Sequence, residues 1–328
     1  MSTRVEARPP AHARQPQRRS SKRRTMRQIR LARLDMKLSP YAYIIPFFVI
    51  FGIFGLYPMV YTFWVSLHDW APGATEHAFI GLDNYAELWN DSQFWNAAGN
   101  TVGIFVLSTV PQLTLALILA NTLNRRIRSR TFFRMAIAVP IITSTAAVAI
   151  VFGQLFGRDF GLINYGLQFF GVENIDWQAS RWASWTAISA MVDWRWTGYN
   201  ALIYLAAMQS ISKDLYESAE LDGASRRRQF WQITVPLLRP TIIFTVIIST
   251  IGGMQLFTEP LLFSAGSGSI SGGSEGQFQT VTMYIIQAMF NRFRFGYAAA
   301  MAWMLFLLII LITFINYLIT RRINSAGK

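Results

Sequence analysis

From residue 101 to residue 120 the chain carries no charged side chain, and it stays uncharged well past both ends of that run. About 20 consecutive apolar residues in helical form cross the hydrocarbon core of a bilayer, so this run reads as a membrane-spanning helix. Five more stretches qualify: 41–67, the run between Arg134 and Arg158, about 183–208, about 241–262 after Pro240, and about 298–320 up to Arg321 and Arg322. Pro46 and Pro58 are expected to bend the first. Asp193 and Arg195 fall in the first half of the fourth. The apolar stretches 160–172 and 281–290 are below spanning length and are expected at the membrane interface. A chain that is 52% hydrophobic and only 14% charged fits this reading and is too charge-poor for an ordinary soluble domain. The expected fold is an all-α integral membrane domain of six helices over 41–322.

Basic residues orient the spans, because Lys and Arg flanking them are kept on the cytoplasmic side. With both termini inside, the cytoplasmic segments hold 12 basic residues in 1–40, five in 121–134, five in 209–240 and three after 320, or 25 of 30. The other five, Arg158, Arg181, Arg195, Arg292 and Arg294, fall in outward loops or in the fourth span, while the outward loops collect Glu76, Asp83, Glu87, Asp91 and Asp176. Residues 1–40 contain no Phe, Trp or Tyr and read as a basic, disordered cytoplasmic tail. Its charge run suits anionic lipid, and the lack of aromatic residues argues against a nucleic-acid partner. Residues 323–328 form a short C-terminal cytoplasmic tail.

Several chemistries find no residues to carry them. The chain has no cysteine, and His12, His68 and His77 have no metal-ligand spacing, so no metal site is expected. No G-x-x-x-x-G-K-S/T sequence is present for a nucleotide phosphate, and H-E-x-x-H does not occur. The Gly/Ser stretch 265–276 lacks a following lysine and reads as a flexible outward loop. The chain is therefore not expected to be an enzyme.

Against this background "ESAELDGASRRRQFWQITVP", residues 217–236, stands out as a polar unit between two apolar runs. Ser212 suits an N-cap and Asp214 a first helical turn, with the helix running to about Asp222. Gly223 can adopt a left-handed turn at no steric cost. A second helix is expected from about Ala224, closed by Pro236. The first helix presents Leu215, Tyr216 and Ala219 beside small Ser218, and leaves the carboxylates of Glu217, Glu220 and Asp222 available. On these residues alone two readings stand: a knob that docks into a partner's groove, and a plain connector.

The spacing Glu217-Ser218-Ala219, three residues, Gly223, nine residues, then Ile233-x-Val235-Pro236 resembles the EAA loop of binding-protein-dependent ABC importer permeases, with Ser218 in place of Ala and Val235 in place of Leu. Residues 79–101 and 295–322 resemble the carbohydrate branch, in particular the first permease subunit of the maltose-transporter type. "GRDFGLINYGLQFFG" and "FTEPLLF" resemble its cellobiose and oligoglucoside group. The resemblance covers roughly 41–322. It implies a second homologous permease, an ABC ATPase dimer that binds ATP and Mg outside this chain, an external sugar-binding protein, and a place in a bacterial-type plasma membrane. It also implies that the loop 209–240 couples to the ATPases through Glu217, Ser218, Ala219, Asp222, Gly223, Ile233 and Pro236.

A sugar path needs aromatic faces and hydrogen-bonding groups. Trp196, Tyr199 and Asn200 lie at i, i+3 and i+4 on one helical face, and the fifth span offers Gly253 beside Gly252, Gln255, and Glu259 one turn further on. The family's sugar contacts fall in the corresponding parts of these two helices. The competing reading is that the tryptophans are interfacial anchors and the glycines serve helix packing. Asp193 and Arg195, two residues apart, point to different faces and are expected to pair with other spans. Intramembrane Asp193, Arg195 and Glu259 also suit a rival class, an ion-coupled secondary transporter of a polar solute.

Overall fold

The computed structural model describes residue 36 and residues 38–73, 76–125, 128–263 and 269–325. Most of the expected N-terminal tail, and residues 326–328 of the C-terminal one, lie outside these. Internal contacts divide the chain into one unit up to Tyr61 and another from Thr62 onward.

The first helix, α1 (Leu38–Ser66), is 29 residues of high apolarity. It begins three residues before the expected start of the span at 41. Its distortion is a π turn over Gly52–Leu56 that runs directly into the turn bearing Pro58. A π turn before proline is physically sensible, since proline donates no N–H and its ring crowds the preceding turn.

The second unit is helical throughout its described regular structure, apart from an isolated bridge between His68 and Phe79. Its elements are α2 (Asp83–Asn90), α3 (Ser92–Asn124), α4 (Arg130–Ile142), α5 (Thr145–Leu155), α6 (Leu162–Gln168), α7 (Arg181–Gln209), α8 (Lys213–Leu221), α9 (Arg226–Leu237), α10 (Arg239–Met254), α11 (Thr258–Phe263), α12 (Val281–Phe290) and α13 (Phe295–Ser325). Helices α3 and α7 form the central pair and pack along most of their lengths. Around them lie three apolar clusters. One joins Phe94, Phe105 and Met254 to Tyr284 and Met301. A second joins Ile104, Trp185 and Met191 to Phe263 and Phe278. The third joins Ala116 and Leu123 to Tyr204, Met208 and Leu238.

Several expected boundaries are corrected. The run between Arg134 and Arg158 is not one straight span: α4 and α5 meet at 93°. Thr143 and Ser144 take extended backbone there, and the Thr143 hydroxyl donates back to the carbonyl of Val139 at 2.9 Å. Hydroxyl side chains that bond local backbone offer the chain an alternative to helix, and Pro140 has already removed one donor. The run 241–262 ends early, at Met254, after the weak helix formers Gly252 and Gly253. The apolar stretch at 281–290 is α12, packed against α3 and α13 with Val281, Met283, Tyr284 and Ala288 buried. The Gly/Ser stretch is not a loose loop over its described part. Residues 269–271 form a 3-10 turn, and the Phe278 N–H bonds the Gly272 carbonyl at 3.0 Å. Residues 264–268 lie outside the described residues. The last helix runs to Ser325, three residues beyond the expected end of the domain.

Candidate functional site

Two features of the second unit bring chemistry-bearing residues together: the turn between α8 and α9, and a cavity between α3, α7 and α10.

At the turn, Ser212 caps α8 by accepting from the Asp214 N–H at 3.3 Å. The helix stops at Leu221 with Asp222 as its C-cap. Gly223 follows at φ +75°, the left-handed conformation in which a β-carbon is disfavoured. The Ala224 N–H then bonds the Ala219 carbonyl at 2.9 Å and the Gly223 N–H bonds the Glu220 carbonyl at 3.0 Å, the paired bonds of a Schellman ending. Ser225 caps α9 through the Arg228 N–H. A bond of 2.9 Å between the hydroxyls of Tyr216 and Thr234 ties the two helices into one unit. Tyr216 and Ala219 thus lie half-buried within the unit, while Leu215, Glu217, Ser218, Glu220 and Asp222 are exposed. Glu217 makes no ion pair among the described residues. Ile233 and Pro236 are half-buried, Ile233 in the π turn Phe230–Thr234 and Pro236 in the turn after it. Helix α9 ends at Leu237, one residue beyond the expected stop at Pro236, and α10 leaves it at 67°.

The cavity has a volume of about 260 Å³ and brings Trp196, Tyr199, Asn200, Gly253, Gln255 and Glu259 to one wall system. It forms where the α10 helix breaks. Gln255, at the C-cap, retains one bond from its N–H to the Gly252 carbonyl at 3.2 Å, and the Leu256 carbonyl accepts from the Thr280 hydroxyl at 2.8 Å. The irregular backbone of the break lines the cavity, with Leu256 buried, Phe257 half-buried and Gln255 exposed. On the α7 side the rings of Trp196 and Tyr199 stand 5.8 Å apart, edge to face, and both remain substantially exposed, at 36% and 41%. Asn200 is buried beneath them. The two glycines differ. A β-carbon on Gly253 would come within 2.8 Å of the Phe105 ring, whereas one on Gly252 would meet nothing within 4 Å. Gly253 therefore serves close packing on α3, and Gly252 faces open space.

Residues of the cavity that were not singled out in the sequence include Thr109 and Gln112 of α3, Ser249 of α10, Phe257 of the break and Thr258 of α11. Gln112 was discoverable, being an amide in an otherwise apolar run. The others carry no such signal. Arg195 reaches from α7 to Glu259, with its Nη1 donating to Oε1 at 2.8 Å, and the two side chains are only 10% and 8% exposed. Asp193 makes no ion pair among the described residues.

At the other end of α3 lies a polar cluster around Asp91. Its carboxylate caps α3 by accepting from the Gln93 and Phe94 N–H groups, and it accepts the hydroxyls of Tyr284 at 2.5 Å and Tyr297 at 2.6 Å. Burial raises the Asp91 pKa, but these four bonds outweigh it and hold the carboxyl below its ordinary 3.8. Burial and then the bond to Asp91 push the Tyr284 hydroxyl up to about 12. Beside it Arg294 grips Glu87 through two bonds of 2.6 Å, which hold the Glu87 carboxyl below its usual range. Every charged group in this cluster is engaged, so it reads as a brace joining α2, α3, α12 and α13.

Long apolar helices, a two-helix turn with exposed carboxylates and a mainly apolar cavity at a broken helix fit a membrane transport component. The chain belongs to the family of binding-protein-dependent transport system inner membrane components, whose model matches residues 102–325. It is 36% identical over 284 residues to the lactose transport system permease protein LacF of Rhizobium radiobacter, covering 85% of this chain and 93% of that protein. It is 32% identical over 289 residues to the arabinooligosaccharides transport system permease protein AraP of Halalkalibacterium halodurans, covering 87% and 89%. In fold it is similar to a chain of a bacterial ABC transporter involved in import of the acidic polysaccharide alginate, with a TM-score of 0.69, 23% identity and coverage of 90% of this chain and 99% of that one.

Proposed function

We propose that this chain is the transmembrane permease subunit of an ATP-driven ABC sugar importer in a bacterial inner membrane. With a second, homologous permease it forms the translocation path for a di- or oligosaccharide delivered by an external binding protein. Two ABC ATPases bind ATP and Mg and drive it through the loop 209–240. The observation that carries this reading is the convergence of Trp196, Tyr199, Asn200, Gly253, Gln255 and Glu259 on one cavity in a member of this family. Aromatic faces suit the apolar CH surfaces of a sugar, and amides and hydroxyls suit its OH groups.

The reading keeps six spans with both termini in the cytoplasm. Among the described residues three helices are long and apolar enough to cross, and the number reaches five when each bent pair is counted as one span. The sixth span is α7: at 29 residues it is about 43 Å long, enough to cross. Its polar residues Ser184, Ser189, Arg195 and Asn200 are buried against its neighbours rather than turned to lipid. The projecting unit of α8 and α9 then faces the cytoplasm, where Glu217, Ser218 and Asp222 are open to an ATPase surface and Ala219, Gly223, Ile233 and Pro236 set its shape. Loop motion transmitted through a rigid knob would rock the attached spans between two states, as differential contacts require. An ion-coupled transporter loses two of its three supporting residues, since Arg195 and Glu259 neutralise each other.

The test is to change Trp196 to Ala and Gln255 to Leu in separate proteins. Saccharide uptake is expected to fall at least tenfold, a loss of about 1.4 kcal/mol or more, while assembly with the ATPases survives. Unchanged uptake in both would remove these residues from the path.

A further inference from the structure

Among the described residues, the cavity wall contributed by this chain contains no Lys, Arg or His, and its single carboxylate is Glu259. That carboxylate is not free. Arg195, which stands outside the lining, holds it at 2.8 Å in a site where both side chains are almost wholly buried. The Arg195 guanidinium also lies 5.9 Å over the ring of Trp196, which does line the cavity. A buried charge without a partner is strongly disfavoured, so the two residues stand or fall together as a neutral unit. Their placement has a mechanical side as well. Glu259 sits in the first turn of α11, directly after the break Gln255–Phe257, and Arg195 sits on α7. The pair therefore pins the irregular segment that walls the cavity to the central helix.

We propose that the Arg195–Glu259 pair is the charge-selectivity element of the path: it cancels the one ionised group of this wall and fixes the break in place, so that the cavity accepts uncharged saccharides and rejects uronates, sulfonates and phosphate esters. This rests on the reading of the cavity as the sugar path. An anionic substrate would meet no free cation among the described residues of this wall and would sit beside a carboxylate already paired with Arg195. An uncharged saccharide meets the rings of Trp196 and Tyr199, the amides of Gln112 and Gln255, and the hydroxyl of Ser249.

The chain lacks cysteine, so one thiol can be placed at half-buried Ser249 of the lining and its labelling read on this chain by mass spectrometry in the assembled transporter. Rates with anionic, neutral and cationic methanethiosulfonates then report the cavity's potential without reference to any sugar. With Ser249→Cys alone, the anionic reagent is expected to be no faster than the neutral one. Adding Glu259→Gln leaves Arg195 uncompensated and should raise the anionic-to-neutral ratio about tenfold; adding Arg195→Met should lower it by a similar factor. Adding Arg195→Met together with Glu259→Gln should return the ratio to its starting value. A ratio that ignores both single changes overturns the proposal, as does an anionic reagent that is faster in the starting protein. If a single variant fails to assemble with its partners, the doubly substituted protein must assemble, because its charge balance is restored; failure there also overturns the proposal. Protection of the introduced thiol by lactose or an arabinooligosaccharide, against no protection by glucuronate, tests the sugar path separately. Charge ratios that respond without protection by any saccharide would sink the path reading and leave the charge assignment standing.

Discussion

Gly223 is the residue on which the projecting loop turns. Its φ of +75° and the open space around its missing β-carbon mean that a substitution is resisted by backbone strain and not by crowding. Gly223→Asn, which tolerates the left-handed region, is expected to retain most coupled ATPase activity. Gly223→Val should strain the turn by about 1–2 kcal/mol or more and uncouple ATP hydrolysis from uptake, as read by comparing the two rates in one preparation. Equal coupling in both proteins would mean that the turn geometry is immaterial. Asp91 gives a pH dependence of defined sign. Because its folded-state pKa is held below the ordinary 3.8, its stabilisation is complete above that value and is lost as pH falls through the lower folded value. Melting temperature should therefore drop more in the parent protein than in Asp91→Asn as pH is lowered below 3.8. The roles of these two residues differ in how legible they were. Gly223 was readable because a local turn depends on neighbours in sequence, and the loop's spacing announced it. The Asp91 brace joins residues about 200 positions apart, and nothing local marked Tyr284 and Tyr297 as its donors.

At the scale of elements, the breaks matter more than the helices. The apolar runs were legible because length and hydropathy are additive along the chain. The 93° bend between α4 and α5 and the end of α10 at Met254 were not, because both depend on what the freed backbone bonds to. Leu256 finds Thr280, and Val139 finds Thr143. The same limit hid Thr109 and Ser249 from the cavity while Trp196, Tyr199 and Asn200 were found by helical spacing within one element. For the two-helix unit, the exposed carboxylate of Glu217 predicts that Glu217→Lys weakens co-purification with the ATPase subunits while leaving membrane expression of this chain near the parent level. A collapse of expression instead would give that carboxylate a folding role. For the break, Gly253→Val should lower stability more than Gly252→Val, since only Gly253 abuts the Phe105 ring; thermal unfolding of the assembled transporter measures the difference.

For the whole molecule, the proposed topology of six spans with both termini in the cytoplasm would put α6 outside and α9 inside. With no native cysteine, Phe160→Cys should react with an impermeant maleimide in intact cells and Arg227→Cys only after lysis; both positions are exposed on this chain, and reversed labelling would refute the orientation. The proposed orientation rests on the charge count alone, because Lys and Arg act through number and side. The central claim is that ATP hydrolysed by separate subunits drives saccharide through this chain. It is tested most directly by reconstituting this permease with its second permease and ATPases in liposomes and supplying the saccharide-loaded binding protein. The account predicts accumulation that requires ATP on the ATPase side and is abolished by vanadate. Accumulation that persists without ATP under an imposed proton gradient would contradict it.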